Sequence, residues 1–128
     1  MATIKIIFYL IVFVISFNKL QAEPMSGHSV VLQVLDKVTA RIFSMEILVG
    51  ESAKFGSLEI KIYHCKKRPP EEVPEDFVLM QVIDEVSLNI FHRVYQGWML
   101  SSSPSVTPFE HPTYDVWVKD CKIDIDSE

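Results

Sequence analysis

Residues that could perform acyl-transfer chemistry are concentrated in the segment 101–115. It contains three consecutive serines, Ser101, Ser102 and Ser103, followed by His111 and Asp115. A serine hydrolase needs a hydroxyl nucleophile, an imidazole base and a carboxylate that orients the imidazole, and these groups occur here in that order. None of the serines lies in a GxSxG turn, so the pattern has little specificity. An envelope hydrolase that uses His111 with a nearby serine or carboxylate is therefore the second of two functional hypotheses.

Neither paired carboxylates nor metal ligands form a specific pattern. Glu110 and Asp115 have a spacing that suits glycoside hydrolysis, but a chain with 17 acidic residues offers many such pairs. The four histidines are scattered without the paired spacing of metal ligands: His28, His64, His92 and His111. We expect neither a metal ion nor a cofactor.

The first functional hypothesis is a binding surface formed by two long loops that prolines stiffen, residues 66–76 and 101–113. Loops on a rigid β scaffold commonly carry binding residues. The candidates for this surface are Arg68, Trp98, Glu110, His111 and Tyr114. The alternative is purely structural: both tryptophans pack in the core or between sheets, and Glu110 or His111 bonds to loop backbone.

The segments that must position these residues show the two-residue periodicity of short β-strands, with glycine or proline at the breaks. Expected strands cover residues 30–42, with a bend near Asp36, and then 45–49, 54–55, 58–65, 77–83, 90–100 and 114–122. Gly56 suits a hairpin turn, and strand 77–83 is apolar on both faces, which is typical of a strand covered on both sides. The pattern predicts an all-β fold, an antiparallel sandwich or partly open barrel of about six to eight short strands.

Cys65 and Cys121 predict a disulfide, because an even number of cysteines in an exported chain favours pairing. A bridge that closes a loop of about 57 residues would stabilise the fold by about 4 kcal/mol. Alternation puts both thiols on the face opposite the aliphatic residues 58, 60, 62, 116 and 118. We therefore expect the two cysteines on neighbouring strands of one sheet. A free thiol or a metal site has no supporting spacing.

The first 22 residues have the layout of a secretory signal peptide: Lys5, an apolar run over residues 6–17, and Ala22 before the proline-bearing start of the mature chain. The 13 residues between Lys5 and Lys19 would form a helix of about 20 Å, shorter than the ~30 Å hydrocarbon layer. We expect cleavage after Ala22, and a retained inner-membrane anchor is the alternative. The expected organisation is signal peptide 1–22, disordered lead 23–29, β domain 30–123 and acidic tail 124–128.

Removal of the signal would change the charge of the chain. Loss of Lys5 and Lys19 leaves ten basic and seventeen acidic residues, a formal charge of −7. Nucleic acid and anionic lipid both need a basic surface, so we expect neither as a partner, and we expect no stable membrane insertion after cleavage.

The chain also resembles the domain-of-unknown-function 2155 family of exported alphaproteobacterial proteins, over about residues 31–121. The matching segments are 34–41 (VLDKVTAR), 49–51 (VGE), 55–60 (FGSLEI), 65–72 (CKKRPPEE), 97–99 (GWM), 102–104 (SSP), 110–117 (EHPTYDVW) and 120–121 (DC). The resemblance implies a signal peptide and a Gram-negative envelope setting, and it transfers no catalytic residue. The leading hypothesis is thus a periplasmic, non-enzymatic β domain that binds or scaffolds an envelope component, either a protein or a cell-wall glycan.

Overall fold

The computed structural model describes residues 1–15 and 23–124. The predicted cleavage site after Ala22 and most of the predicted acidic tail lie outside the described residues. The chain begins with helix α1 (Ala2–Ile15), whose apolar side chains from Ile4 to Phe13 are exposed. Within the described ranges, no helix is both long and apolar enough to cross a membrane.

Eight strands follow in the described part of the chain, and they form two antiparallel sheets. Their bounds are β1 (Met25–Ser26), β2 (Ser29–Asp36), β3 (Arg41–Leu48), β4 (Ser52–Phe55), β5 (Leu58–Lys67), β6 (Asp76–Ser87), β7 (Ile90–Leu100) and β8 (Tyr114–Lys122). The first sheet has the order β1-β5-β6-β7, with β4 also paired to β5, and the second has the order β3-β2-β8. The predicted all-β sandwich is confirmed.

The hydrophobic core lies between the two sheets and follows the two-residue alternation of their strands. The aliphatic residues predicted to be buried on β5 and β8 do belong to this core. Its fully buried large side chains are Leu32, Leu58, Ile60, Ile62, Met80 and Met99, with valines 30, 34, 78, 82 and 116. Burial of each such side chain contributes about 1.5–3 kcal/mol before the entropy cost of folding is subtracted.

The predicted strand 30–42 is in fact a hairpin of β2 and β3. One carboxylate oxygen of Asp36 accepts hydrogen bonds from the backbone N–H groups of Val38 (2.9 Å) and Thr39 (3.3 Å). Ala40 completes the turn with a φ of 57°. The predicted bend near Asp36 is therefore a full reversal, because an aspartate side chain can replace the backbone acceptor in a turn.

The cysteines are joined across the sandwich, with Cα atoms 5.9 Å apart, and not between neighbouring strands as predicted. Cys65 lies on β5 of the first sheet and Cys121 on β8 of the second. The register of β5 shifts at Tyr63, and that of β8 shifts at Lys119. Each one-residue bulge reverses the side-chain alternation beyond it. Both sulfurs therefore point into the core, on the same side as the aliphatic residues, which corrects the predicted facing.

The predicted disordered lead, residues 23–29, is paired with the domain from Met25 onward. Met25 and Ser26 form β1 against the end of β5. The backbone N–H of Gly27 donates to the Cys65 carbonyl, and that of His28 donates to the Lys122 carbonyl, both at 2.9 Å. Residues 25–28 thus satisfy backbone groups at the ends of β5 and β8, directly over the disulfide.

Candidate functional site

Ser101 and Ser102 are bound to a carboxylate at the end of the sandwich that carries the disulfide. The hydroxyl of Ser101 and the backbone N–H of Ser102 both donate to one Glu75 oxygen at 3.0 Å, and the Ser102 hydroxyl donates to the other. Burial opposes ionisation of Glu75, but these hydrogen bonds outweigh it and hold its pKa below the usual value. The arrangement joins loop 101–113 to the end of loop 66–76.

His111 lies at the opposite end of the sandwich, and both of its ring nitrogens are engaged. Nε2 contacts a carboxylate oxygen of Asp84 at 2.7 Å, while Nδ1 accepts the backbone N–H groups of Thr113 and Tyr114 at 3.0 and 3.1 Å. Because Nδ1 is an acceptor, the Nε2–H group donates to Asp84. Burial opposes ionisation of Asp84, but the neighbouring Ser57 and His111 favour it, and the pKa of Asp84 is lowered.

The predicted serine, histidine and carboxylate therefore do not come together. The Ser101 hydroxyl contacts the backbone of Asp76 at the start of β6, whereas His111 contacts Asp84 on the same strand. Eight residues of extended strand separate those positions, about 26 Å. The imidazole is held by Asp84 and not by Asp115, so it orients loop 101–113 on the first sheet.

The substitution His111→Ala should lower the free energy of unfolding by about 2–3 kcal/mol, because it leaves one buried carboxylate and two backbone N–H groups without their partner. Urea denaturation of the oxidised protein measures this loss. The matched control is Glu110→Ala, an exposed neighbour that should change stability by about 0.5 kcal/mol or less. Equal effects of the two substitutions would contradict this structural role.

The five residues predicted to form one binding surface occupy two separate regions. Glu110, His111 and Tyr114 lie at the end opposite the disulfide, where the Tyr114 ring packs against Phe55 and stacks on His111, with ring centroids 5.6 and 5.4 Å apart. Trp98 and Arg68 instead belong to the outward side of the first sheet. The structure therefore does not bring the five residues together on one surface, because residues 109–113 fold onto the sandwich end, away from Trp98.

The outward side of the first sheet, here called the outer face, carries a row of apolar side chains. Phe77 and Leu79 alternate with fully buried core residues of β6 and are half-buried. They lie opposite Leu100 and Trp98 of β7, and Trp98 is 41% exposed. Residues directly opposite on antiparallel strands share a face, so these four side chains form one continuous apolar strip.

Aromatic and polar groups border this strip on the neighbouring strand β5. The bulge turns both Tyr63 and His64 outward, and His64 is opposite Leu79. The Tyr63 hydroxyl donates to the side-chain oxygen of Gln81 at 3.0 Å. Lys61 lies 5.1 Å from the centre of the Tyr63 ring, and the guanidinium of Arg68 lies 5.5 Å from that of Phe77. These cation–π contacts place positive charge beside the half-buried rings of Tyr63 and Phe77.

The outer face is basic although the domain is acidic. The strand registers put four cations on it, against two carboxylates, Glu59 and Glu85. The four are Lys54, Lys61, Lys66 and Arg93. Arg68 lies at the margin, where it contacts Phe77 and is also close enough to Glu75 to favour its ionised form. A local excess of positive charge on a net acidic domain favours an anionic ligand at this face.

Sequence reasoning identified Trp98 and Arg68 but missed Tyr63, His64, Phe77 and Leu79. The relevant signal is strand 77–83, whose apolar residues on both faces predict a strand covered on both sides. Its inner row is fully buried, whereas no described element covers its outer row. The structural interpretation of Trp98 as core packing is likewise wrong, because that side chain points outward from β7.

Charged residues at the disulfide end connect the two sheets. A carboxylate oxygen of Asp76 accepts the buried backbone N–H of Cys121 at 3.0 Å. Lys67 forms an ion pair with Asp120 at 2.7 Å and lies 3.9 Å from Asp76. Burial raises the pKa of Asp76, whereas the bond from Lys67 lowers the pKa of Asp120. Because these groups have partners within the fold, we interpret them as structural.

Among the described residues, no three ligand-type side chains are grouped to hold a metal ion.

Comparisons with known proteins give one family and a relative. The family model described as "Uncharacterized protein conserved in bacteria (DUF2155)" matches residues 30–121. The "Uncharacterized protein RP359" of Rickettsia prowazekii (strain Madrid E) is 37% identical over 91 residues, which cover 68% of this chain and 56% of the relative. The chain thus spans just over half the length of that protein. No solved structure matches the chain.

Proposed function

The chain belongs to the DUF2155 family of bacterial proteins, and on that premise we propose that it is an exported domain that binds an anionic cell-envelope glycan through its outer face. Export is supported by the N-terminal apolar helix and by a disulfide between two buried cysteines, a bond that is stable in oxidising compartments. The proposed location is the periplasm, after cleavage behind Ala22.

The single observation that carries the binding function is the apolar, aromatic strip on the outer face. The exposed ring of Trp98 and the half-buried ring of Tyr63 can pack against the apolar faces of pyranose rings. Gln81 and His64 supply hydrogen-bonding groups beside these rings. The surrounding lysines and arginines can pair with the carboxylates of a cell-wall polymer.

A glycan fits this surface better than a protein partner does. The cores of protein interfaces are enriched in aromatic residues and depleted of lysine, because each lysine loses hydration when it is buried. Here Lys61 and Lys66 stand directly beside Tyr63 and Phe77 on the same face. A polar, flexible polyanion leaves such lysines partly hydrated and still pairs with their charge.

Co-sedimentation with purified cell-wall sacculi tests this function, using the full chain exported and purified from the periplasm of a Gram-negative host. We expect Trp98→Ala to weaken binding roughly tenfold, because it removes the most exposed ring of the strip. The matched control is Leu88→Ala, whose side chain is 85% exposed on the β6–β7 turn, away from the strip. Leu88→Ala should bind as the natural chain does.

A charge reversal tests whether binding depends on the cations of the outer face, and crosslinking then distinguishes a glycan from a protein partner. Lys61→Glu combined with Lys66→Glu should abolish sedimentation at low salt, whereas Arg41→Glu on β3 of the other sheet should preserve it. If sacculi fail to bind the natural chain while crosslinking through position 98 recovers an envelope protein, the partner is a protein. Binding that survives both Trp98→Ala and the double reversal would contradict a role for the outer face.

A further inference from the structure

A concave surface lies on the second sheet, beside the free edge of β8. This edge groove has Pro104, Pro108 and Phe109 on one wall and Asp115, Val116 and Trp117 on the other, with a volume of about 410 Å³. It is separate from the outer face, since β8 belongs to the second sheet and Trp98 to the first.

The loop wall of the edge groove is held in place by β7. The Tyr95 hydroxyl donates to the Thr107 hydroxyl at 2.7 Å, and that hydroxyl donates to the Trp98 carbonyl at 3.0 Å. The Phe109 ring packs near the Tyr95 ring, with centroids 6.2 Å apart. A short 3₁₀ helix (Pro104–Val106) adds further rigidity. These contacts fix the loop wall against β7.

The strand wall offers unpaired main-chain groups. β8 pairs with β2 on one side and with no described strand on the other. Alternate residues of an edge strand direct their N–H and C=O groups away from the sheet, where another extended chain can bind them. The N–H of Lys37 donates to the Thr113 carbonyl, so by alternation Asp115 and Trp117 direct their main-chain groups toward β2 and Val116 directs its own outward. No bond from the outward groups of Val116 to another described residue is present. The edge groove therefore combines an open strand edge with apolar walls.

Asp115 gives the edge groove a charge preference. Its carboxylate is half-exposed and forms no ion pair within the described ranges. The remaining lining is apolar apart from Ser105. An occupant with a lysine, an arginine or a free amine near Asp115 would complement this single negative charge.

We propose that the edge groove binds a short extended peptide segment of a partner protein, which adds a strand to β8. Backbone hydrogen bonds to β8 supply the docking geometry, and the alternating side chains of the peptide pack against Phe109 and Trp117 on one side. A basic residue of the peptide pairs with Asp115. Three residues of β8 span about 10 Å, so the contact covers about three or four peptide residues.

A random heptapeptide library displayed on phage, selected on the immobilised full chain, tests this site. We expect enriched sequences to alternate apolar residues with at least one lysine or arginine. A synthetic enriched peptide should shift the NMR signal of the Trp117 indole N–H, which is bonded to Gln33 at 2.9 Å, and should leave that of Trp98 unchanged.

Two changes identify the mode of binding. N-methylation of alternate peptide nitrogens should abolish binding, because it removes main-chain donors and leaves the side chains. Asp115→Asn should weaken binding by about 3–10-fold, while the control Glu110→Gln should not. The inference is overturned if no sequence is enriched above the bare support. It is also overturned if the enriched peptide shifts Trp98 alone, or if its N-methylated form binds equally well.

Discussion

Replacement of both cysteines, in Cys65→Ala with Cys121→Ala, should lower the free energy of unfolding by about 4 kcal/mol or more. The bond spans 56 positions of sequence and joins the two sheets, so its loss releases a long loop in the unfolded chain. Both side chains are buried, at 2% and 0% exposure, and their truncation adds a packing loss. Because a domain of this size has a total stability of about 5–15 kcal/mol, we expect marginal folding at 37 °C.

Comparison of three forms separates the covalent link from the packing. Urea denaturation gives the free energy of unfolding of each form. The difference between the oxidised and the reduced natural chain reports the covalent bond alone. The difference between the reduced chain and the double alanine variant reports the packing of the two side chains. Intact mass identifies the oxidised form, which is two hydrogens lighter. Oxidised and reduced forms with the same unfolding free energy would contradict the stabilising role of the bridge.

Gly27→Ala should be destabilising by about 1–3 kcal/mol, because the lead crosses directly over the disulfide. A Cβ atom on Gly27 would lie 2.5 Å from Cys65 Sγ and 2.7 Å from the Lys122 carbonyl oxygen, and still closer to the sulfur of Cys121. Sulfurs held in a buried bridge cannot move aside. We therefore expect the lead to detach and the disulfide to become accessible, with faster reduction by dithiothreitol under native conditions.

The matched control for this change is Ser26→Ala, the exposed preceding residue of β1. It adds no atom near the bridge and should leave both stability and reduction rate close to those of the natural chain. Equal unfolding free energies and equal reduction rates for the two variants would show that the lead does not shield the disulfide.

The sequence was sufficient to predict elements whose signal is local. The alternation of β5 and β8 predicted the buried aliphatic rows, and Gly56 correctly marked the β4–β5 turn, where its φ is 55°. Elements that depend on a single side chain were missed. Asp36 reverses the chain between β2 and β3 through two hydrogen bonds, and no periodicity reveals such a contact.

The facing of the cysteines could not be predicted because it depends on two bulges. One extra residue, at Tyr63 on β5 and at Lys119 on β8, moves every later side chain to the other face. Nothing in the composition near Tyr63 or Lys119 distinguishes a bulge from a continued strand. The bond therefore crosses between the sheets, where simple alternation predicted a link within one.

The candidate site was predictable only in part, for a related reason. Trp98 and Arg68 stand out in the sequence as unusual residues in or near loops. Their shared face follows from the pairing of β6 with β7 and from the contact of Arg68 with the Phe77 ring. The residue pattern of a single strand does not show which other strand it pairs with. The loop residue His111 was selected for its chemistry, whereas its contacts with Asp84 and two backbone N–H groups make it a structural clamp.

The most direct test of the outer face as the glycan-binding surface uses the two tryptophans of the unmodified sequence. Their indole N–H signals can be followed together by two-dimensional NMR while soluble cell-wall fragments are added to the full chain, with Trp98→Phe used only to assign the signals. We predict a progressive shift of the Trp98 signal that weakens as salt is raised, with the Trp117 signal unchanged. A shift confined to Trp117, or no shift of either signal at saturating fragment, would contradict the account.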